Sequence, residues 1–107
     1  MFARILDFEV KMEKKDEFIK VVKNEVLPIL KKQNGFLDIL PLFPETLRDK
    51  VYTISLWAEK PEAERYEKEV YPRIYDILKP YLTTPITVKT FKVETTLCEH
   101  FVEALAA

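Results

Sequence analysis

The chain has 107 residues, of which 48% are hydrophobic and 12% aromatic. That is enough apolar material for one domain with a packed core and too much for a disordered chain. Its 17 Lys and Arg nearly cancel its 18 Asp and Glu, and the charges are interspersed, so no field would gather a nucleic acid or hold a membrane surface.

Single residues exclude more. One Gly leaves no glycine-rich phosphate loop or dinucleotide fingerprint, which need several positions without a Cβ. One His leaves no two-histidine metal site, and one Cys, Cys98, leaves no internal disulfide. The only serine, Ser55, lies mid-strand between Ile54 and Leu56, whereas a triad nucleophile sits on an exposed turn. No apolar run approaches the ~20 residues of a membrane span. These features predict a soluble cytoplasmic protein with no metal, no cofactor and a free thiol.

The opening "FARILDFEV" is rich in β-branched and aromatic residues and predicts a strand over Phe2 to Val10. From Glu13 the period changes. Phe18, Val22, Val26 and Ile29, widened by Ile19 and Leu30, form the apolar stripe of a long helix, with lysines on the other side. Pro28 should bend or restart that helix, and Asn34 with Gly35 should end it, Gly35 taking the left-handed conformation after the last turn. "FLDILPLFP" predicts a second strand over Phe36 to Pro44, at an edge or with a bulge because proline cannot donate to a ladder.

In "KVYTISLW", a third strand antiparallel to the second, Val51, Thr53, Ser55 and Trp57 face one way and Tyr52, Ile54 and Leu56 the other. A helix follows from Pro61 with Glu62 and Glu64 near its positive end, split at Pro72 and ended by Pro80. Its buried stripe is Ala63, Tyr66, Val70, Ile74, Ile77 and Leu78. "ITVKTFKVETT" predicts a long last strand over Ile86 to Thr96. The domain spans 1–97, and the tail 98–107 has the composition of a short helix.

The order β-α-β-β-α-β specifies the ferredoxin-like fold of the α+β class, a four-stranded antiparallel sheet with two helices on one face. Apolar residues on both sides of the first and third strands leave a sheet face to be covered, which predicts a homodimer packed through sheet faces.

The chain resembles the antibiotic biosynthesis monooxygenase family of dimeric α+β barrel proteins over about Ala3 to Glu94, through "LPILKKQNGFL", "ISLWAEKPEAERY" and "ITVKTFKV". The resemblance rests on their order and spacing, with strand-end Trp57 nine residues before Tyr66. It implies two sheets packed in a dimer, the last strand often reaching into the partner, and a pocket between sheet and helices in each subunit. It also implies one of several activities: cofactor-independent oxygenation of phenols or quinol-type compounds, haem degradation, or metabolism of small signalling molecules.

The haem-degrading branch uses an Asn on the first strand with a Trp and a His on the second helix. Here Tyr66 and Asp76 stand at the helix positions and the first strand has no Asn, so the resemblance does not extend to that chemistry. The oxygenase branch matches at Trp57, but its strand Asn four residues earlier meets Thr53.

The candidate site residues each have two readings. Trp57 is a pocket wall for a planar substrate or a core residue closing the sheet. Tyr66 and Tyr75 orient a phenolic substrate or pack with wet hydroxyls; nine residues apart, they share a face only if Pro72 resets the helix. His100, whose side chain ordinarily titrates near neutrality, is a catalytic base or a surface residue. Asp7 is the second candidate base, as an inward-facing carboxylate, or a solvated edge residue. The leading expectation is a cofactor-independent monooxygenase of a small aromatic or quinol-like compound. The alternative is a non-catalytic dimeric module that binds a small hydrophobic ligand or haem.

Overall fold

The computed structural model describes residues 1–46 and 50–98. Four strands, β1 (Phe2–Phe8), β2 (Phe36–Leu42), β3 (Val51–Trp57) and β4 (Thr87–Lys92), form one antiparallel sheet in the order β2-β3-β1-β4. The helices between β1 and β2 and between β3 and β4 complete the predicted ferredoxin-like βαββαβ fold.

Period-two alternation sorts the sheet into two faces. Directly opposed residues point the same way, so the pairs Phe2–Trp57, Arg4–Ser55, Leu6–Thr53 and Phe8–Val51 share one face. That face packs against the helices: Phe2, Leu6, Phe8, Val51 and Trp57 join Phe18, Val26, Leu30, Ala63, Tyr66, Ile74 and Leu78 in one core. The opposite face carries Ile5, Asp7, Tyr52, Ile54 and Leu56, flanked by Leu40 and Leu42 from β2 and Phe91 from β4. Leu40, Leu42, Tyr52 and Phe91 are each more than two-fifths exposed.

The first helical run has three parts: α1 (Lys15–Val21), a π-helical turn over Val22–Val26, and α2 (Leu27–Lys31). Pro28 explains the join. It has no N–H for the carbonyl of Asn24, and the wider turn absorbs the missing bond before the helix restarts with Pro28 in its first turn. The second run divides into α3 (Lys60–Glu69) and α4 (Tyr71–Leu78), with the break at Val70, just before Pro72. Both prolines therefore act where the sequence places them.

Gly35 is the one described residue with positive φ, at 81°. A Cβ there would also run into the Glu62 carboxylate. Gly35→Ala is expected to cost about 1–2 kcal/mol of stability from the backbone alone. Adding Glu62→Ala should recover only the clash, a distinction that urea denaturation of the single and double variants measures.

Three predicted boundaries are corrected. β1 stops at Phe8, with Val10 reduced to an isolated bridge to Leu82. β2 stops at Leu42, and it has both the edge position and the bulge, between Phe36 and Asp38. β4 covers only Thr87–Lys92, because its partner β1 begins at Phe2; after Val93 the chain turns through a short 3-10 segment, Thr95–Leu97. The rest of the tail, with His100, lies outside the described residues. No described helix is long and apolar enough to cross a membrane.

Candidate functional site

Between the helix-facing side of the sheet and the helices lies a cavity of about 280 Å³. Its floor is Arg4, Leu6 and Phe8 from β1, Val51, Thr53 and Ser55 from β3, and Ile39 and Pro41 from β2. One wall comes from the first helical run, including Val22, Lys23 and Val26 of the π turn, and the other from Tyr66, Tyr71, Ile74 and Leu78. The π turn thus places three of its five side chains on the cavity, and such turns are frequent at functional sites. The lining is overwhelmingly apolar, the usual character of a small-molecule site.

Two cations interrupt this lining, the exposed Lys23 and the buried Arg4. Arg4 holds an inward position in the Phe2, Leu6, Phe8 alternation and is only 2% exposed. Its guanidinium carbon lies 5.0 Å from the Tyr66 ring centroid and 4.7 Å from that of Tyr71, stacking distances for a cation on aromatic faces. Its Nη2 is 3.7 Å from Oε1 of Glu67, an ion pair too long to be a hydrogen bond. Among the described residues neither Nε nor Nη2 has a hydrogen-bond partner.

The two tyrosines beside Arg4 are weak acids here. Burial pushes the Tyr66 and Tyr71 hydroxyls up to about 12, a rise that the neighbouring guanidinium only partly opposes. At neutral pH both carry their protons and are hydrogen-bond donors, not bases. Because both folded values lie above the unfolded value of 10.0, the associated stability is fully present below pH ~10 and is lost as pH rises through ~12. Alkaline denaturation followed by circular dichroism should therefore show a decline across that window, shallower in Tyr66→Phe.

Trp57 sits one layer behind the cavity. It is 0% exposed, does not line the cavity, and packs on Tyr66 at 4.7 Å and on Phe36 at 5.5 Å between ring centroids. Its indole N–H donates to Oγ of Ser55 at 3.0 Å, so it holds two lining residues, Ser55 and Tyr66, in place. Its position matches the core reading. Tyr66 is buried and lines the cavity. Tyr75 does not line it; its ring lies 6.5 Å from that of Tyr71 between centroids, and Tyr71 in turn lies 6.3 Å from Tyr66.

Asp7 is placed on the other face of the sheet, away from the cavity, where Oδ1 accepts a hydrogen bond from Lys50 Nζ at 3.2 Å. The structure therefore does not bring Asp7 together with Tyr66, and His100 is outside the described residues. Cys98 is a free thiol next to that tail. Among the described residues no cluster of three or more His, Cys, Asp or Glu could hold a metal. Arg4 and Tyr71 were not singled out by sequence. The available signal for Arg4 was one charge at an inward position of an otherwise apolar strand face.

Solved structures of similar fold include the cofactor-independent oxygenase SnoaB from Streptomyces nogalater, at 15% identity and a TM-score of 0.70 over 90% of this chain and 95% of that one. A monooxygenase from the gene ActVA-Orf6 of Streptomyces coelicolor, in complex with nanaomycin D, matches at 14% identity and 0.70 over 87% of each chain. A conserved protein from Methanosarcina mazei matches at 17% and 0.69 over 88% of this chain and 94% of that one. At these identities the likeness is one of fold. No curated protein matches by sequence. The family model for antibiotic biosynthesis monooxygenases matches residues 1–71, and the chain belongs to that family.

Proposed function

We propose that this protein is a cofactor-independent monooxygenase of a small aromatic or quinol-like compound, acting in the cavity between sheet and helices. The observation that carries the reading is the cavity itself: an apolar chamber of about 280 Å³ with one buried cation in its floor, in a member of a monooxygenase family. Its apolar lining disfavours water beside an electron-rich ring, and its volume leaves room for dioxygen. The reaction needs no external reductant when an activated ring methylene is the substrate. The carbon gives up two hydrogens, one oxygen atom forms the new carbonyl, and the other leaves as water with those hydrogens. Tyr66 and Tyr71 would orient the ring, and Trp57 would act through Tyr66 and Ser55.

The described lining contains no carboxylate or imidazole to serve as base. That observation favours the second reading, a module that binds a hydrophobic ligand without changing it. A panel of quinols and polyphenols separates the two: saturable binding with oxygen uptake supports the oxygenase, and saturable binding without uptake supports the module. A base role for His100 predicts that His100→Ala lowers oxygen uptake without lowering affinity, and unchanged uptake removes that role. The same comparison with Asp7→Ala tests Asp7, whose position on the opposite face predicts no loss.

We further infer a homodimer through the open sheet faces, because Leu40, Leu42, Tyr52 and Phe91 form a contiguous apolar patch with Ile5, Ile54 and Leu56. Light scattering at micromolar concentration should give twice the mass of one chain, and Leu40→Glu with Tyr52→Glu should return it to one. A wild-type monomer would remove the inference.

A further inference from the structure

We propose that Arg4 makes the cavity selective for small aromatic phenols or enols that bind as their oxyanions. The proposal deepens the reading above by naming the ligand class of the same cavity, and it requires binding there without requiring oxidation.

A guanidinium keeps its charge in any protein environment. Here it is 2% exposed, and two of its nitrogens, Nε and Nη2, find no hydrogen-bond acceptor among the described residues. The flanking rings of Tyr66 and Tyr71 offset part of the charge through their π faces, but they supply no oxygen acceptor to Nε or Nη2. Glu67, the one carboxylate paired with Arg4 among the described residues, stops 3.7 Å from Nη2, and its side chain is 44% exposed, so water competes for it. A buried cation with unpaired donors is a poor structural device, since an apolar residue of similar volume would serve the fold as well or better. It is a good receptor for an oxygen anion, which accepts short charge-assisted hydrogen bonds from the guanidinium edge.

The rest of the cavity defines the rest of the ligand. Leu6, Phe8, Val26, Leu30 and Ile74 offer only apolar contact, which suits a hydrocarbon ring system. A dry cavity of ~150 Å³ holds a benzene; about 280 Å³ suits one or two fused rings. Tyr66 and Tyr71 beside Arg4 are further candidate donors to the same oxygen. With no carboxylate or imidazole among the described lining residues, the ligand's proton passes to solvent on binding. Arg4 supplies the driving force by favouring the anion.

The test is an anaerobic absorbance titration with para-nitrophenol, whose phenolate is yellow, and with neutral nitrobenzene as its counterpart. The expected result is that nitrophenol bound to the wild-type protein ionises at least about one pH unit lower than in water, and that its anion binds ~10-fold or more tightly than nitrobenzene. Arg4→Met should bring the bound ionisation back to the solution value and abolish the preference over nitrobenzene, while Arg4→Lys should keep part of the shift because it keeps charge without the planar fork. An unshifted ionisation in the wild type overturns the proposal, as does nitrobenzene binding equal to or tighter than the phenolate. The wild-type pair decides even if a variant does not fold. The titration excludes oxygen and so reads binding alone; a protein that binds phenolates here and takes up no oxygen with the aerobic panel would retire the oxygenase reading and leave this one standing.

Discussion

Trp57→Ala should lower the free energy of unfolding by about 3–5 kcal/mol, the range for removing a large aromatic from a packed core. Trp57 is fully buried between Phe36 and Tyr66, and its N–H satisfies Ser55 Oγ. Truncation leaves a hole that the rigid sheet beneath cannot fill, and Ser55, itself 5% exposed, loses a donor. Against a total stability of roughly 5–15 kcal/mol for a domain of this kind, that places the variant near the edge of folding. Trp57→Phe keeps most of the ring contact and loses the hydrogen bond, so a cost of about 1–2 kcal/mol is expected. Urea denaturation followed by circular dichroism measures both, since the variants lack the chain's only tryptophan. A Trp57→Ala cost below ~1 kcal/mol would be incompatible with a core role.

The second large effect is on function and has the opposite sign for stability. Val22→Phe puts a ring into the cavity from the π turn, where the side chain already faces empty space. Filling a void commonly stabilises a protein by about 0.5–2 kcal/mol, so the melting temperature should hold or rise. Turnover of a substrate that occupies the same space should fall by about 100-fold, the scale set by displacing a substrate from its reacting position. Thermal melting and steady-state oxygen uptake on the same preparation check the two halves together. Loss of activity with loss of stability would show only a damaged fold.

The fold was legible because its signals are local. Strand and helix periods, Gly35 at the end of the first helical run, and Pro28 and Pro72 at the helix breaks each act within a few residues of themselves. The faces of β3 were legible for the same reason, and Trp57 fell on the helix-facing side with Val51 and Ser55 as its alternation requires. The strand ends were not, because where β4 stops depends on where β1 begins, across the sheet.

The site was harder to read for a related reason. Whether Asp7 points into the cavity depends on the phase of β1, and that phase is set by which of Arg4 and Ile5 turns inward. A charge at position 4 argues for the wrong choice on polarity alone. The packing of Phe2, Leu6 and Phe8 decides otherwise, carrying Arg4 inside and Asp7 to the opposite face. Tyr66 was accessible to sequence reasoning because it lies on the buried stripe of its helix. Tyr71 was not, because it owes its place beside Arg4 to the restart of the helix after Val70.

If the cavity brings a ring and dioxygen together without another reagent, turnover of an activated phenol under isotopically heavy dioxygen should give a wild-type product that gains one heavy oxygen atom per molecule of dioxygen consumed. In Val22→Phe, with oxygen uptake and product mass recorded in parallel, the filled cavity should suppress both quantities together. Product oxygen derived from water, or uptake that is undiminished in the filled variant, would overturn the oxygenase reading.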